Sequence, residues 1–261
     1  MTDMTGTGNW GRKLSWIALA LSVGGLAAAL IAASGSGAGA WSFRTGFTIL
    51  RYAFYAAMAG GLLAIVAFFI ARRGGVRTFW LNLSAFVIAA AFGAYLMNQV
   101  ATARSVPAIH DATTDLGDIP QFSALTVRPD NLEDIPDDGR TDLAALDPEN
   151  RWKAIHREAY GDLRSLRLGV KPAEAVQRAE ALVRARGWQF ARVDRPSGII
   201  EATATTRFFR FMDDVVVRVR PDPARPGGSI VDMRSISRIG GSDVGVNAKR
   251  IREFLADLQA A

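Results

Sequence analysis

The chain has 261 residues, with 31 Lys+Arg against 25 Asp+Glu and a formal net charge of +6. The absence of cysteine and a histidine count of two (His110 and His156) exclude disulfides, thiolate-bound metal, iron–sulfur clusters, thiol catalysis and a three-His metal centre within one chain. A basic chain of this length suggests a nucleic-acid partner only if the charge lies on a folded surface, so its distribution decides.

No Asp, Glu, Lys or Arg lies between Lys13 and Arg44, between Arg51 and Arg72, or between Arg77 and Arg104, which leaves gaps of 30, 20 and 26 residues. A helix crossing a hydrocarbon layer of about 30 Å needs about 20 residues. The gaps therefore predict three transmembrane helices, over residues 14–33, 52–71 and 79–97, after an N-terminal segment 1–13. Arg12, Lys13, Arg72, Arg73 and Arg77 flank one side, and Arg44, Arg51 and Arg104 the other. The positive-inside rule then places the N-terminus in the cytoplasm of a multi-pass inner-membrane protein, and the C-terminal part in the periplasm. Residues 38–40 read Ala-Gly-Ala, so a cleaved signal peptide competes for the first span, but its apolar stretch exceeds the usual length.

Small residues recur every four positions: Ala20, Gly24, Ala28 and Ala32; Ala53, Ala57 and Gly61; Ala85, Ala89 and Gly93. Such faces let helices approach closely in lipid, within a bundle or in a homo-oligomer. No span carries an ionisable side chain, and Asn82 is the only strongly polar one, which favours an anchor over a transporter. Trp10, Trp16, Trp41, Tyr52, Phe79, Trp80 and Tyr95 lie near span ends, as interfacial aromatics do.

Residues 98–150 hold 3 basic and 11 acidic side chains and five prolines, a composition that predicts an extended acidic linker. Residues 151–261 hold 21 basic and 13 acidic side chains. The net charges of −8 and +8 suggest that the linker lies on the basic surface and masks it. In the last segment, Pro172 and Glu174 start a helix whose buried face is Val176, Ala179, Leu182 and Val183, and Gly187 stops it. Strands follow at 188–193, 198–205, 211–220 and 229–236, the third with Val215, Val217 and Val219 in alternation. Asn247 can cap a final helix with Ile251, Phe254, Leu255 and Leu258 on one face. The expected architecture is a three-helix transmembrane region plus an α+β domain of helix, four antiparallel strands and helix.

The segments FFRFMDDVVVRVR and SIVDMRSISRIGGSDVGVNAKRIREFLADL, within residues 208–258, join an aromatic–Asp-Asp strand to one ending Arg-Ser-x-Ser-Arg. A Gly-x-Ser-Asp-x-Gly-x-Asn turn and a helix follow. This pattern resembles the domain-of-unknown-function 1499 family. The upstream run from Ile109 to Asp115, with Pro120 and Phe122, resembles the same family's entry motif, although Ile119 stands where a second proline is frequent. The resemblance spans 106–258; it implies the domain and its membrane-anchored setting, and no activity.

Candidate chemistry gathers on these motifs. His110, Asp111 and Asp115 could bind a divalent metal or form a base with its orienting acid, or pack along the domain as an added strand. Asp213 and Asp214 point to opposite strand faces, so they cannot act as one carboxylate pair; ion pairing with Arg234 or Arg238 is the expected use. Arg234, Ser235, Ser237, Arg238 and Asn247 lie around a Gly-rich turn and a helix N-terminus, where an anionic small molecule could bind. The competing use is pairing of the arginines with Asp213, Asp214 and Asp232. No residue is assigned as catalytic or as a metal ligand, no cofactor is expected, and nucleic acid is disfavoured for a domain outside the cytoplasm. The expected partners are the bilayer and envelope proteins. The alternative is a membrane-bound enzyme using His110, Asp111 and the Arg234–Arg238 segment on an anionic envelope substrate.

Overall fold

A computed structural model describes residues 4–133 and 135–261, which form two compact units. Unit 1 comprises residues up to Ala101 together with Arg207–Arg210. Unit 2 comprises Thr102–Thr206 and Phe211–Ala261.

Unit 1 is built on α1 (Met4–Gly37), α2 (Phe43–Arg73) and α3 (Phe79–Ser105). Each helix contains a stretch long and apolar enough to cross a membrane. All three extend past flanking charges: α1 contains Arg12 and Lys13, α2 contains Arg44, Arg51, Arg72 and Arg73, and α3 contains Arg104. The Ser42 hydroxyl accepts from the Thr45 N–H at 3.2 Å to start α2, and Arg72 and Arg73 occupy its last turn, where cations suit the helix dipole. Asn82 is buried at the start of α3 and its Nδ2 donates to the Thr78 carbonyl and hydroxyl, each at 3.0 Å, while its Oδ1 has no partner among the described residues.

The expected small-residue rows Ala53, Ala57 and Gly61 of α2 and Ala85, Ala89 and Gly93 of α3 are buried, whereas on α1 only Ala32 of the expected row is. Among the described residues of α1, Gly11, Ser15, Ala18, Ser22, Gly25, Ala29 and Ala32 form a buried row in alternating steps of four and three, with Ala33 buried beside it. Gly24 meets nothing within 4 Å, whereas a Cβ on Gly25 would stand 2.6 Å from the Ala53 carbonyl oxygen. On α2, Ala53, Ala57, Gly60, Ala64, Ala67 and Ala71 repeat the pattern, and a Cβ on Gly60 would stand 2.5 Å from Ser22 Oγ. A 3.6-residue helix drifts off any strict four-residue row, while alternating threes and fours keep the seam facing its partner. The seam is thus used within the bundle.

Unit 2 has six strands, where four were expected. These are β1 (Asp111–Thr113), β2 (Leu166–Leu168), β3 (Gln189–Asp194), β4 (Ile199–Thr205), β5 (Met212–Pro221) and β6 (Ser229–Ser237). All pairs are antiparallel, in the order β1-β6-β5-β4-β3, and β2 also pairs with β6. The two extra strands lie end to end along β6: Asp111 opposite Ile236, and Leu166 opposite Val231. Each is three residues long, too short to carry a period of its own.

The helices of unit 2 are α4 (Thr141–Ala144), α5 (Pro148–Ala159), α6 (Pro172–Ala185) and α7 (Val246–Ala260). Helices α6 and α7 cover one sheet face, where Val176, Ala179, Val183, Ile251, Phe254 and Leu258 meet Ile200, Ala202, Val215, Val217, Val219 and Met233, all buried. Trp188 stacks on Phe254 with ring centres 5.6 Å apart. Asn247 does not cap α7. Gly245, with φ 77°, is the cap position, and the Asp243 carboxylate accepts from the Gly245 and Asn247 N–H groups at 2.9 and 2.6 Å. Burial raises the Asp243 carboxyl above the usual range, against those two donors, which favour its charged form.

Residues 102–150 belong to unit 2 and are no free tether. Arg151 holds the stretch before α5 by donating to the carbonyls of Leu143, Ile135 and Leu146 at 2.9, 3.1 and 3.0 Å. Helix α5 then clamps β1: Trp152 Nε1 donates to the Asp111 carbonyl, and the Thr113 N–H donates to His156 Nε2, both at 3.0 Å.

Candidate functional site: a roofed polar sheet face

The face of the sheet opposite α6 and α7 carries Glu201 and Thr203 of β4, Asp214, Val216, Arg218 and Arg220 of β5, and Asp232, Arg234 and Ile236 of β6. Strand alternation sets this list, because every second residue of the same strands is in the apolar core. The cross-strand register agrees: Glu201 faces Val216, Val216 faces Arg234, and Arg218 faces Asp232. Glu201, Val216 and Asp232 have no exposed surface. Residues 114–131 roof this face.

Anchors along its length hold the roof, besides the hydrogen bonds of Thr114 with Met233 and of Arg192 with Ser123. Glu201 accepts from the backbone N–H groups of Ser123, Ala124 and Leu125 at 2.8–3.1 Å, and from the Ser123 hydroxyl at 2.5 Å. Burial pushes the Glu201 carboxyl up, but these donors outweigh it and hold it below the usual carboxylate range. At the second anchor, Arg218 and Arg220 reach Asp118 of the roof at 3.1 and 2.8 Å and Asp232 of β6 at 3.1 and 2.7 Å. Asp115 lies 3.7 and 3.6 Å from the same two guanidinium groups. At the third, Arg128 donates to the Gly240 carbonyl at 2.7 Å.

The two motif regions meet beneath the roof. Arg234 grips Asp111 with a two-pronged pair at 3.0 and 2.7 Å, its guanidinium 5.8 Å from the Phe122 ring centre. Asn131 joins the pair, donating to Asp111 at 2.9 Å and accepting from His110 Nε2 at 3.0 Å. Because the carboxylate fixes which end of Asn131 donates, the His110 proton on this side belongs to Nε2. His110, Asp111, Asn131 and Arg234 are all buried.

The remaining candidates are dispersed. Ser235, Ser237 and Asn247 lie on the α7 side. Ser235 Oγ donates to Asn247 Oδ1 at 2.6 Å, and Asn247 Nδ2 donates to Ser237 Oγ and to the His110 carbonyl, both at 2.9 Å. Arg250 links this group to Asp213 at 2.5 Å. Arg238 instead pairs with Asp214 on the opposite face, at 2.8–3.1 Å, and with Thr203 at 3.0 Å. Asp213 and Asp214 therefore serve different faces, with Arg250 as the partner of the first. Asp232, set against Arg234 and Arg238 in the sequence, pairs with Arg218 and Arg220.

Asn131, Glu201, Arg218, Arg220, Arg250 and His156 were not singled out from the sequence as site residues. His156 accepts from Thr113, so its proton lies on Nδ1, which is buried without a partner among the described residues. Burial drives its pKa down to about 4, so the ring is neutral in the folded protein at pH 7. Among the described residues, no group of three or more His, Asp or Glu is placed to hold a metal ion.

Most of these side chains lie within the residues that a family model matches. The model for "Protein of unknown function (DUF1499)" matches residues 111–258, from the first residue of β1 into the last turn of α7. No curated protein matches the chain. The match covers more than half of the sequence and contains Asp111, Arg234, Arg238 and Asn247, the residues that fasten the entry strand, the sheet and the last helix to one another: the chain belongs to the DUF1499 family.

Proposed function

We propose that this chain is an inner-membrane protein that anchors a DUF1499 domain on the periplasmic side. There the domain serves as a binding or structural module of the cell envelope. The observation that carries this reading is the internal use of the motif residues: Asp111 pairs with Arg234, Asp214 with Arg238, and Asn247 with Ser237 and the His110 carbonyl, and Asp111, Arg234, Asp214 and Asn247 are all buried. Arginines paired in this way fasten a framework, and a surface presented outside the motif meets partners. Orientation rests on the excess of Arg and Lys beside residues 14–33 and between residues 71 and 79.

The test is a pair of reporter fusions. Alkaline phosphatase joined after Ala261 is expected to be active, and joined after Gly74 inactive; the reverse pattern overturns the periplasmic placement. A second reading, an enzyme acting on an anionic envelope substrate, draws on the meeting of His110, Asp111 and Arg234 in one cluster. It requires the roof to open. Purified chain that turns over no phosphate or carboxylate ester, with residues 114–131 intact or cleaved, would remove it.

A further inference from the structure

We infer that the tip of the β4–β5 hairpin, Arg207-Phe208-Phe209-Arg210, is a lipid-contacting foot that sits in the headgroup layer of an anionic bilayer. This rests on the three apolar helices spanning that bilayer, and on nothing about which side the domain occupies.

The chain leaves β4 at Thr205 and returns to β5 at Met212, yet the four residues between 206 and 211 cluster with unit 1. The tip is held as a closed loop: the Thr206 N–H donates to the Phe211 carbonyl, and the Phe211 N–H to the Thr206 hydroxyl, both at 2.8 Å. Arg210 takes the left-handed conformation, φ 54°, to make the turn. Within unit 1, the Phe209 ring lies 4.7 Å from Phe47, and Phe208 lies 6.5 Å from Tyr95. A Cβ on Gly37 would stand 2.8 Å from Arg210 Cγ. Gly37 ends α1 and Phe47 lies in the second turn of α2, so both mark the end of the bundle opposite Lys13 and Arg72.

That end is already interfacial in chemistry. Trp41 donates to the Ala32 carbonyl at 3.1 Å, and Arg44 lies over the Phe43 ring at 5.9 Å. The tip continues this belt of aromatics and arginines from a segment more than 160 residues further along the chain. Phe208 is 48% exposed and Arg207 and Arg210 are also exposed. An exposed ring with the Arg207 guanidinium 5.8 Å from its centre, and a second exposed arginine two residues on, suits the boundary where apolar bodies meet headgroup phosphates. Water offers the ring no such gain, and the positive charges select an anionic surface.

The absence of cysteine makes the test clean, because an introduced cysteine is unique. The full chain carrying F208C and a nitroxide label is reconstituted in vesicles of phosphatidylethanolamine and phosphatidylglycerol. Collision with oxygen is compared with collision with a water-soluble nickel chelate. L62C, on the outward face of α2, gives the lipid reference, and A260C, exposed on α7, gives the water reference. The expected result is an oxygen-to-nickel ratio at 208 shifted from the Ala260 value toward the Leu62 value, with that shift reduced by R207Q and R210Q. A ratio at 208 equal to that at 260, or exclusion of both reagents as in a protein-buried site, overturns the foot while leaving the anchoring intact. A water-like signal at Leu62 overturns both.

Discussion

The two faces of the central sheet are made by the same strands and held by different forces. On one, Val215, Val217, Val219 and Met233 lose their surface to α6 and α7, and contact with apolar neighbours supplies the hold. On the other, Glu201, Asp232 and Arg234 are equally buried, and the hold is a set of charges that must all stay paired. An apolar face tolerates rearrangement so long as volume is kept, whereas a buried charge that loses its partner keeps the whole cost of leaving water. The family match begins with β1 and includes both the roof and the polar face beneath it.

The sharpest way to break the comparison is one truncation on each side. Phe254→Ala removes a fully buried ring stacked on Trp188 and should cost about 3–5 kcal/mol, read by hydrogen exchange of β5 and β6 amides. On the polar side, Asp111→Leu alone should cost about 3–5 kcal/mol, because it strands Arg234 beneath Phe122. Adding Arg234→Met should recover much of that loss. A double variant as unstable as the single would mean that the pair itself, and not the stranded charge, carries the energy.

Acid should act next. The His156 pKa is depressed from 6.5 to about 4 in the folded state, so the unfolded chain binds the extra proton between those values. Stability should therefore be fully present above pH 6.5 and fall as the pH drops toward 4, by roughly 3 kcal/mol. His156→Gln should flatten that slope in a pH series of unfolding curves. A slope unchanged by the substitution would assign the acid sensitivity elsewhere.

The smallest effects belong to the edge of the roof. Glu201→Gln leaves an acceptor poorer than a carboxylate for the N–H groups of residues 123–125 and should cost about 1–3 kcal/mol, with faster proteolysis of residues 114–131. Salt should also speed cleavage near Asp118, whose pairs with Arg218 and Arg220 are open to solvent, and should spare the buried Asp111–Arg234 pair. Cleavage independent of salt would mean that charge attraction does not hold this end.

Charge gaps alone marked the three apolar helices, because hydrocarbon forbids ionisable groups over a fixed thickness. Helical faces marked α6 and α7, whose apolar residues are buried on one side, and apolar and β-branched runs between turn signals marked β3 to β6. The membership of Asp111 and Arg234 in one motif set was also legible. Their direct contact was not, because 123 positions separate them and neither has a periodic neighbour that points to the other.

Composition, periodicity and motif thus determined the three apolar helices, the main sheet and the family. Tertiary structure alone decided that the acidic stretch before residue 150 folds onto the domain, that β1 and β2 complete the edge of β6, and that Asp243, and not Asn247, starts α7. Local sequence reports how a segment behaves in water. An acidic, proline-rich stretch reads as extended until Glu201, Arg218 and Arg220, brought together by strand pairing far along the chain, give its backbone and carboxylates partners that water would otherwise supply.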